Sequence, residues 1–298
     1  MGEFFEKKEF NLSDFALFLS VMKDKRAHRD VLSIIMNEEN LELVDVKVEQ
    51  VISNNMGKRA IRLDAWAVDA INRQFTTEMQ NNSRQDDVKK RSRFYQGMLD
   101  TPLLKAGKHT KYKQLPSTVI IFITQEDIFG KDLAGYTFAE QCEEIPGLPL
   151  GDGTKKIFLN MKSKNGRPEL VSLLQYMKNT SMENPDIIVK DTRIVELAEI
   201  VEEVKQSEEW ETVRMNILEY GMEKGMEKGK QWLLVEKVCK KLKKGKTMEE
   251  IAEELEENLE QIQSITEIAA SYAPGYDCDK ICDEYGKVLE AVNAEEIK

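Results

Sequence analysis

The stretch Ile61–Gln80, IRLDAWAVDAINRQFTTEMQ, decides how this chain is read. Ile61 to Val68 alternates strictly, with Ile61, Leu63, Ala65 and Ala67 on one face and Arg62, Asp64, Trp66 and Val68 on the other. Gln74 to Gln80 alternates as well, Phe75, Thr77 and Met79 against Gln74, Thr76, Glu78 and Gln80. The polar turn Asp69 to Arg73 between these runs predicts a β-hairpin. One residue of slip flips every side chain, so Asp64 and Glu78 share a face only where paired numbers sum to an even value. A register summing to 142 closes the turn around Ile71, sets Trp66 opposite Thr76 and sets Asp64 directly opposite Glu78. Their Cβ atoms would lie roughly 5 Å apart, an arrangement that repels unless a cation neutralises it. Oxygen-rich sites of this kind suit Mg²⁺ or Mn²⁺, and Gln80 projects from the same face two residues on. Spacing alone also fits an edge hairpin with a solvated polar face, and taken by itself favours it.

The flanks extend the pattern. Asn11 to Met36 has apolar residues at Phe15, Phe18, Leu19, Met22, Val31, Leu32 and Ile35, the spacing of one or two amphipathic helices broken around Asp24 to His28. Leu41 to Val51 alternates loosely and is a strand candidate. Val88 to Leu104 reads as a helix with Tyr95, Met98, Leu99 and Leu103 on its apolar face and Lys90, Arg91 and Arg93 beside it. Ser117 to Thr124, STVIIFIT, is the β-branched run of a strand buried on both faces. Lys156 to Asn160 adds a later strand after the Gly151-Asp152-Gly153 turn. Helix, three strands, helix and strand make a small mixed sheet with a right-handed crossover before the last strand.

Composition narrows the function classes. The chain has 298 residues, 41% apolar and 33% charged, which is a globular and highly charged composition. The longest apolar run, Val119 to Ile123, is far short of the ~18–20 residues of a membrane span. Met1 to Phe10 alternates Phe with Glu and Lys and lacks the layout of a signal peptide, and Glu6 stands where a myristoylation signal needs Ser or Thr. A cytoplasmic protein with no membrane partner is expected. The net charge of −11 argues against nucleic-acid binding by bulk charge, but the charges are blocked. Arg84 to Lys113 holds nine basic and three acidic residues, and Asp191 to Glu219 three basic and nine acidic. Gly221 to Lys246 again holds nine basic and three acidic, and Thr247 to Glu267 carries eight Glu and no base. A cationic patch on an anionic body keeps polyanion binding open. Cys142, Cys239, Cys278 and Cys282 are too scattered for a disulfide framework; Cys278 and Cys282 could share a helix face, but neither His28 nor His109 is near them in sequence. With two histidines, chemistry falls to carboxylates.

Beyond Pro185 the chain reads as helical. Gly221-Met222-Glu223-Lys224 repeats as Gly225-Met226-Glu227-Lys228 before Gly229-Lys230. Glycine at every fourth position lays a bare stripe on one helix face, open to close packing or to fraying, and a short flexible or coiled segment is the expectation. Val235–Leu242, Met248–Leu255 and Leu259–Ile268 make three short helices, Thr247 and Glu250 forming a capping box for the second. Their length suits a helix-turn-helix, but the helix that would enter the major groove carries Glu260 and Glu267 and no base. A protein-contact or dimerising bundle is expected instead.

The segments IRLDAWAVD, TTEMQ, KRSRFYQGMLD and STVIIFIT, in this order, resemble the core of the PD-(D/E)xK nuclease superfamily. In detail they resemble its transposase-like branch, the Rpn recombination-promoting nucleases, in which the final Lys is usually Gln. The likeness runs from about Asp14 through Asn160 and includes IFGKDLAGYTFAEQC and GDGTKKIFLN. It implies an α/β restriction-endonuclease-like core, αβββαβ, over residues 1–165. An all-helical C-terminal region follows, comprising an extension with an acidic face over 166–220 and a repeat helix and bundle over 221–298. It also implies metal-dependent cleavage of DNA by a phosphodiester hydrolase. Asp64 and Glu78 match the metal-holding Asp and Glu, and Gln80 stands in the Lys position, where it can orient water or donate to a phosphate oxygen but supplies no charge. Arg91 and Tyr95 match the helix motif one turn apart, Arg91 as a phosphate contact with Tyr95 supporting it. Asp14 matches a further motif Asp near the start of the first helix. The chain departs from the pattern at Ser33, where related sequences often carry an acidic residue. Gln80, Ser33 and the charge of −11 favour an alternative, a catalytically silent interaction protein that keeps the nuclease fold of a mobile element. Homo-oligomerisation through the C-terminal helices is a further expectation.

Overall fold

Strands β1 (Leu43–Ile52), β2 (Ile61–Asp69), β3 (Gln74–Gln80), β4 (Thr118–Thr124), β5 (Gly135–Phe138) and β6 (Thr154–Asn160) form one sheet in the order β1-β2-β3-β4-β6-β5. This computed structural model describes residues 9–53, 60–81, 87–104 and 111–296, with side chains described as far as residue 289. Residues 1–8, and Arg84, Lys105, Lys108 and His109 of the basic block, lie outside the described residues. The chain divides into two compact units, Met1–Val213 and Arg214–Lys298.

β1, β2 and β3 are an antiparallel meander; β3–β4 and β4–β6 pair in parallel, and β5 returns antiparallel on β6. A parallel step needs a crossover, and helix α3 (Val88–Asp100) lies between β3 and β4 in the chain. Every residue of β4 is buried, which is why its sequence is a continuous apolar and β-branched run without alternation. β5 was not legible as a strand: four half-exposed residues starting at Gly135 are too short to show a period, and only pairing with β6 defines them.

The hairpin has the expected register, with Ala65 opposite Thr77, Trp66 opposite Thr76 and Ala67 opposite Phe75. Asp69 closes its turn. One carboxylate oxygen accepts from the backbone N–H groups of Ile71 (3.1 Å) and Arg73 (2.7 Å), and the other accepts from Arg73 Nε at 2.6 Å. Asn72 takes the left-handed conformation, φ 62°, that Asn tolerates better than most residues. The Arg73 guanidinium also forks onto Glu38, at 2.8 and 2.6 Å, tying the turn to the chain that leads into β1.

Helices α1 (Phe15–Met22) and α2 (Lys25–Met36) break where expected, because Asp24 is extended and its side chain accepts from the N–H groups of Arg26 and Ala27 as the cap of α2. α2 packs on α4 (Pro168–Lys178) and α5 (Thr192–Lys205), and α1 packs on β1 and β2. On α3, Tyr95, Met98 and Leu99 join Ile120, Phe122 and Phe158 in one cluster. Leu103, expected on the same face, is 42% exposed in a 3-10 turn, because Pro102 has no N–H with which to continue the α-helix.

In the second unit, α7 (Met248–Leu255), α8 (Leu259–Ala270) and α9 (Cys278–Glu296) follow the end of α6 (Glu208–Leu242). Val235, Val238, Ile251, Ile262, Ile265 and Ile281 are the centre of their core, and Thr247 with Glu250 forms the expected capping box. The repeat is corrected by the structure: Gly221 to Lys230 is uninterrupted helix inside α6, not a short flexible segment. Met, Glu and Lys are strong helix formers and no proline intervenes, so about 1 kcal/mol per glycine is offset along a 35-residue helix. Among the described residues no helix is long and apolar enough to cross a membrane.

The turn into β6 is sterically closed. Gly153 has φ +82°, and a Cβ there would lie 2.8 Å from the Ser117 hydroxyl at the head of β4. Gly153→Ala is expected to cost about 1–3 kcal/mol of stability, read as a lower urea midpoint; an unchanged midpoint would contradict this account of the turn.

Candidate active site

The β2–β3 backbone ladder ends at the pair Ala65–Thr77, immediately before Asp64 and Glu78. From there the two strands are joined by side chains. Glu78 Oε1 accepts from the Asp64 N–H at 3.1 Å, and Asp64 Oδ2 accepts from the Met79 N–H at 2.9 Å. Each carboxylate takes the acceptor's part that a backbone carbonyl plays in a regular ladder. Both are buried, Asp64 to 8% exposure and Glu78 to 1%.

Helix α3 brings a cation to this pair. Its first turn is fixed by Asp87, which accepts from the Lys90 N–H at 3.0 Å, and Arg91 and Tyr95 then share a face one turn apart. Arg91 donates to Glu78 Oε2 at 3.1 Å and to Gln80 Oε1 at 2.8 Å. Its Nε and second guanidinium nitrogen donate to the Tyr95 hydroxyl at 3.0 and 2.6 Å, while the guanidinium lies over the rings of Tyr95 and Phe122. Asp64, Glu78, Gln80, Arg91 and Tyr95 are thus one cluster. Asp14 is not part of its bonded network among the described residues. It precedes α1 and accepts from the Asn11 N–H at 2.7 Å, although the neighbouring Ser13 carbonyl accepts from Asn81 next to Gln80. Ser33 is buried in α2, an element packed on α4, α5 and β1.

Burial dominates the electrostatics. It pushes the Asp64 carboxyl up to about 6, against the Met79 N–H and Arg91, which favour the charged form. Burial and then the charge of Asp64 push Glu78 up to about 8, with the Asp64 N–H and Arg91 opposing. Burial and the Glu78 charge raise Tyr95 to about 12, so its hydroxyl stays protonated. One guanidinium therefore does not fully compensate two buried carboxylates, and the pair retains proton affinity near neutrality. A metal cation would offset the same excess of negative charge. Among the described residues no group of three or more His, Cys, Asp or Glu could hold a metal. A cation here would be held by Asp64 and Glu78 with water and amide or carbonyl oxygens, a donor set that suits Mg²⁺, which keeps several waters.

Sequence reasoning missed Glu49. It lies on β1 between the pairs Val48–Ala65 and Gln50–Leu63, hence across from Asp64, and has φ 51°. Its charge adds to the upward push on Asp64, and its side chain pairs with Arg62 at 3.5 Å. A left-handed Glu within a strand is a strained conformation of the kind concentrated at functional sites, and no sequence period reports it. Asp64 opens onto a cleft of about 620 Å³ that is also lined by Arg62, Asp87, Lys90, Arg91, Arg93 and Phe94, among others, while Glu78 lies behind it. Lys89, the remaining base of this helix turn, lies instead over the Phe129 ring.

Residues 13–218 match the family described as PD-(D/E)XK nuclease family transposase. No curated protein and no solved structure matches the chain. The matched span takes in the whole six-stranded sheet, the crossed carboxylates and α1 to α5. Over more than two-thirds of its length, then, this chain belongs to the PD-(D/E)XK nuclease family transposases.

Proposed function

We propose that the protein is a divalent-metal-dependent DNA endonuclease of the transposase and recombination-promoting type, with Asp64 and Glu78 holding Mg²⁺ or Mn²⁺. The observation that carries this reading is the pair of buried, incompletely neutralised carboxylates beside a cleft whose other wall is the basic face of α3. When bound, such an ion polarises a phosphate oxygen and lowers the pKa of a water for in-line attack. The protein's own groups do the rest. Lys90 and Arg93 attract the phosphodiester backbone to the cleft. Arg91 supplies its charge and the N–H not directed at Glu78, Gln80 or Tyr95 to a phosphate oxygen, and Tyr95, kept protonated by burial, orients the guanidinium. Gln80 orients a water or donates to phosphate through its amide, without the charge that a Lys would add.

A second reading has one observation in its favour. Arg91 already bonds both Glu78 and Gln80, as a resident cation would, so a silent nuclease fold serving as an interaction protein is compatible with this arrangement. Nicking of supercoiled plasmid separates the two. The endonuclease reading expects nicking with Mg²⁺ or Mn²⁺, none with EDTA, and a loss of about 100-fold or more in Asp64→Ala; a folded wild type inert with both metals leaves the silent reading.

Metal binding has its own readout. Mn²⁺ at about 100 times its Kd is expected to stabilise the wild type by about 2.7 kcal/mol, raising the melting temperature, with no such rise in Asp64→Asn. Equal shifts in the two proteins would remove the metal site. In EDTA the pH dependence follows from the raised carboxyl values. Between about pH 4 and pH 8 the folded state binds more protons than the unfolded state, so stability contributed by the protonated pair declines as pH rises through Asp64 at about 6 and Glu78 at about 8. The melting temperature of wild type should therefore fall more steeply from pH 5 to pH 8 than that of Asp64→Asn, which retains an acceptor for the Met79 N–H; parallel profiles would contradict the electrostatics described above.

A further inference from the structure

Every residue of α6 from Glu219 to Lys230 is exposed, so none of them is buried by the described residues. Of the six exposed large apolar side chains on α6, four are aligned, while Tyr220 and Trp232 lie off their line. Met215, Met222, Met226 and Leu233 are 45, 40, 64 and 47% exposed, and they follow one another at intervals of seven, four and seven residues. At 100° per residue the four lie within about 20° of a single line, a stripe about 27 Å long. Seven and four are the intervals of a helix–helix seam, whereas a helix that merely bridges through water is polar all round.

The stripe has a symmetry that selects its occupant. Met222 and Met226 stand two residues either side of Lys224, and Met215 and Leu233 stand nine residues either side. Charge is reversed about the same point. Glu208, Glu209, Glu211 and Glu219 precede it, and Lys228, Lys230, Lys237, Lys240 and Lys241 follow it. Glu227, Glu236 and Arg214 run against this trend, Glu227 and Glu236 being paired within the helix with Lys224 and Lys240. Of the charges that follow the trend, Glu209 and Lys241 are paired with Lys23 and Glu254. A parallel second copy would set acidic half against acidic half. An antiparallel copy sets each acidic half against a basic one and each apolar side chain of the stripe against another.

We infer that α6 is a self-association surface, on which two copies of the chain pair antiparallel about a two-fold axis at Lys224. Met222 of one copy meets Met226 of the other, Met215 meets Leu233, and Glu219 comes beside Lys230 on the same flank. The interface is isologous, so every contact occurs twice. It is independent of whether the first unit cleaves DNA.

Sedimentation velocity on the full chain from about 1 to 100 μM tests this. The wild type is expected to pass from monomer to dimer across that range. Met222→Glu with Met226→Glu should remain monomeric with unchanged far-UV helicity, since Glu is a good helix former at an exposed position. Glu219→Lys should weaken the dimer about tenfold, the contact being doubled by symmetry, and adding Lys230→Glu should restore it to within about threefold. A wild type that stays monomeric throughout leaves the stripe to some other occupant and overturns the inference. So does a dimer that survives the double Met substitution, and failure of Lys230→Glu to rescue overturns the antiparallel register.

Discussion

The crossed hydrogen bonds between Asp64 and Glu78 are the constraint around which the first unit is organised. An antiparallel ladder can end simply by splaying, which leaves N–H groups unpaired in the interior at a cost of about 1–3 kcal/mol each. Here the Asp64 and Met79 N–H groups are instead satisfied by the two carboxylates. The strands stay joined, and two acids are held in the sheet interior where neither backbone nor solvent would otherwise keep them. The site is therefore not a loop added to a scaffold but the way in which two central strands finish their pairing.

That solution creates an electrostatic debt which α3 discharges in part. The helix is placed by topology, since a parallel β3–β4 step requires a crossover, and its start is fixed by the Asp87 cap. Given that placement, an arginine one turn into the helix reaches Glu78 and Gln80, while Tyr95, one turn further on, packs against Phe122 and accepts from the same guanidinium. The raised proton affinity of both carboxylates measures how incomplete the compensation is. A fully neutralised pair would show no such affinity for a proton.

The second unit is organised by a different rule. Its core is built from the end of α6 with α7, α8 and α9, and the rest of α6 keeps an apolar stripe outside that core. Helix propensity alone accounts for the continuity of the glycine repeat, but not for four large apolar side chains aligned in water with charge reversed about their midpoint. Self-association of the kind inferred above would supply the burial that the monomer withholds.

The hairpin was legible from sequence because its information is local. A period of two, a polar turn and the parity of the positions are enough to set Asp64 against Glu78, and the register Trp66–Thr76 follows. β4 was legible because burial on both faces leaves only apolar and β-branched residues, and Arg91 and Tyr95 because helical spacing puts them on one face. The short β5, the left-handed Glu49 across from Asp64 and the isolation of Asp14 from the carboxylate network had no such local signature. Each depends on where a distant segment lies. β5 exists because β6 offers an open edge. The charge state of the site belongs to the same class: two carboxylates in a sequence are ordinary acids, and only burial beside one another, within reach of a single guanidinium, turns them into a pair that holds a proton near neutral pH. Sequence determined which side chains could meet; the tertiary structure decided how much water was removed from around them, and desolvation sets their chemistry.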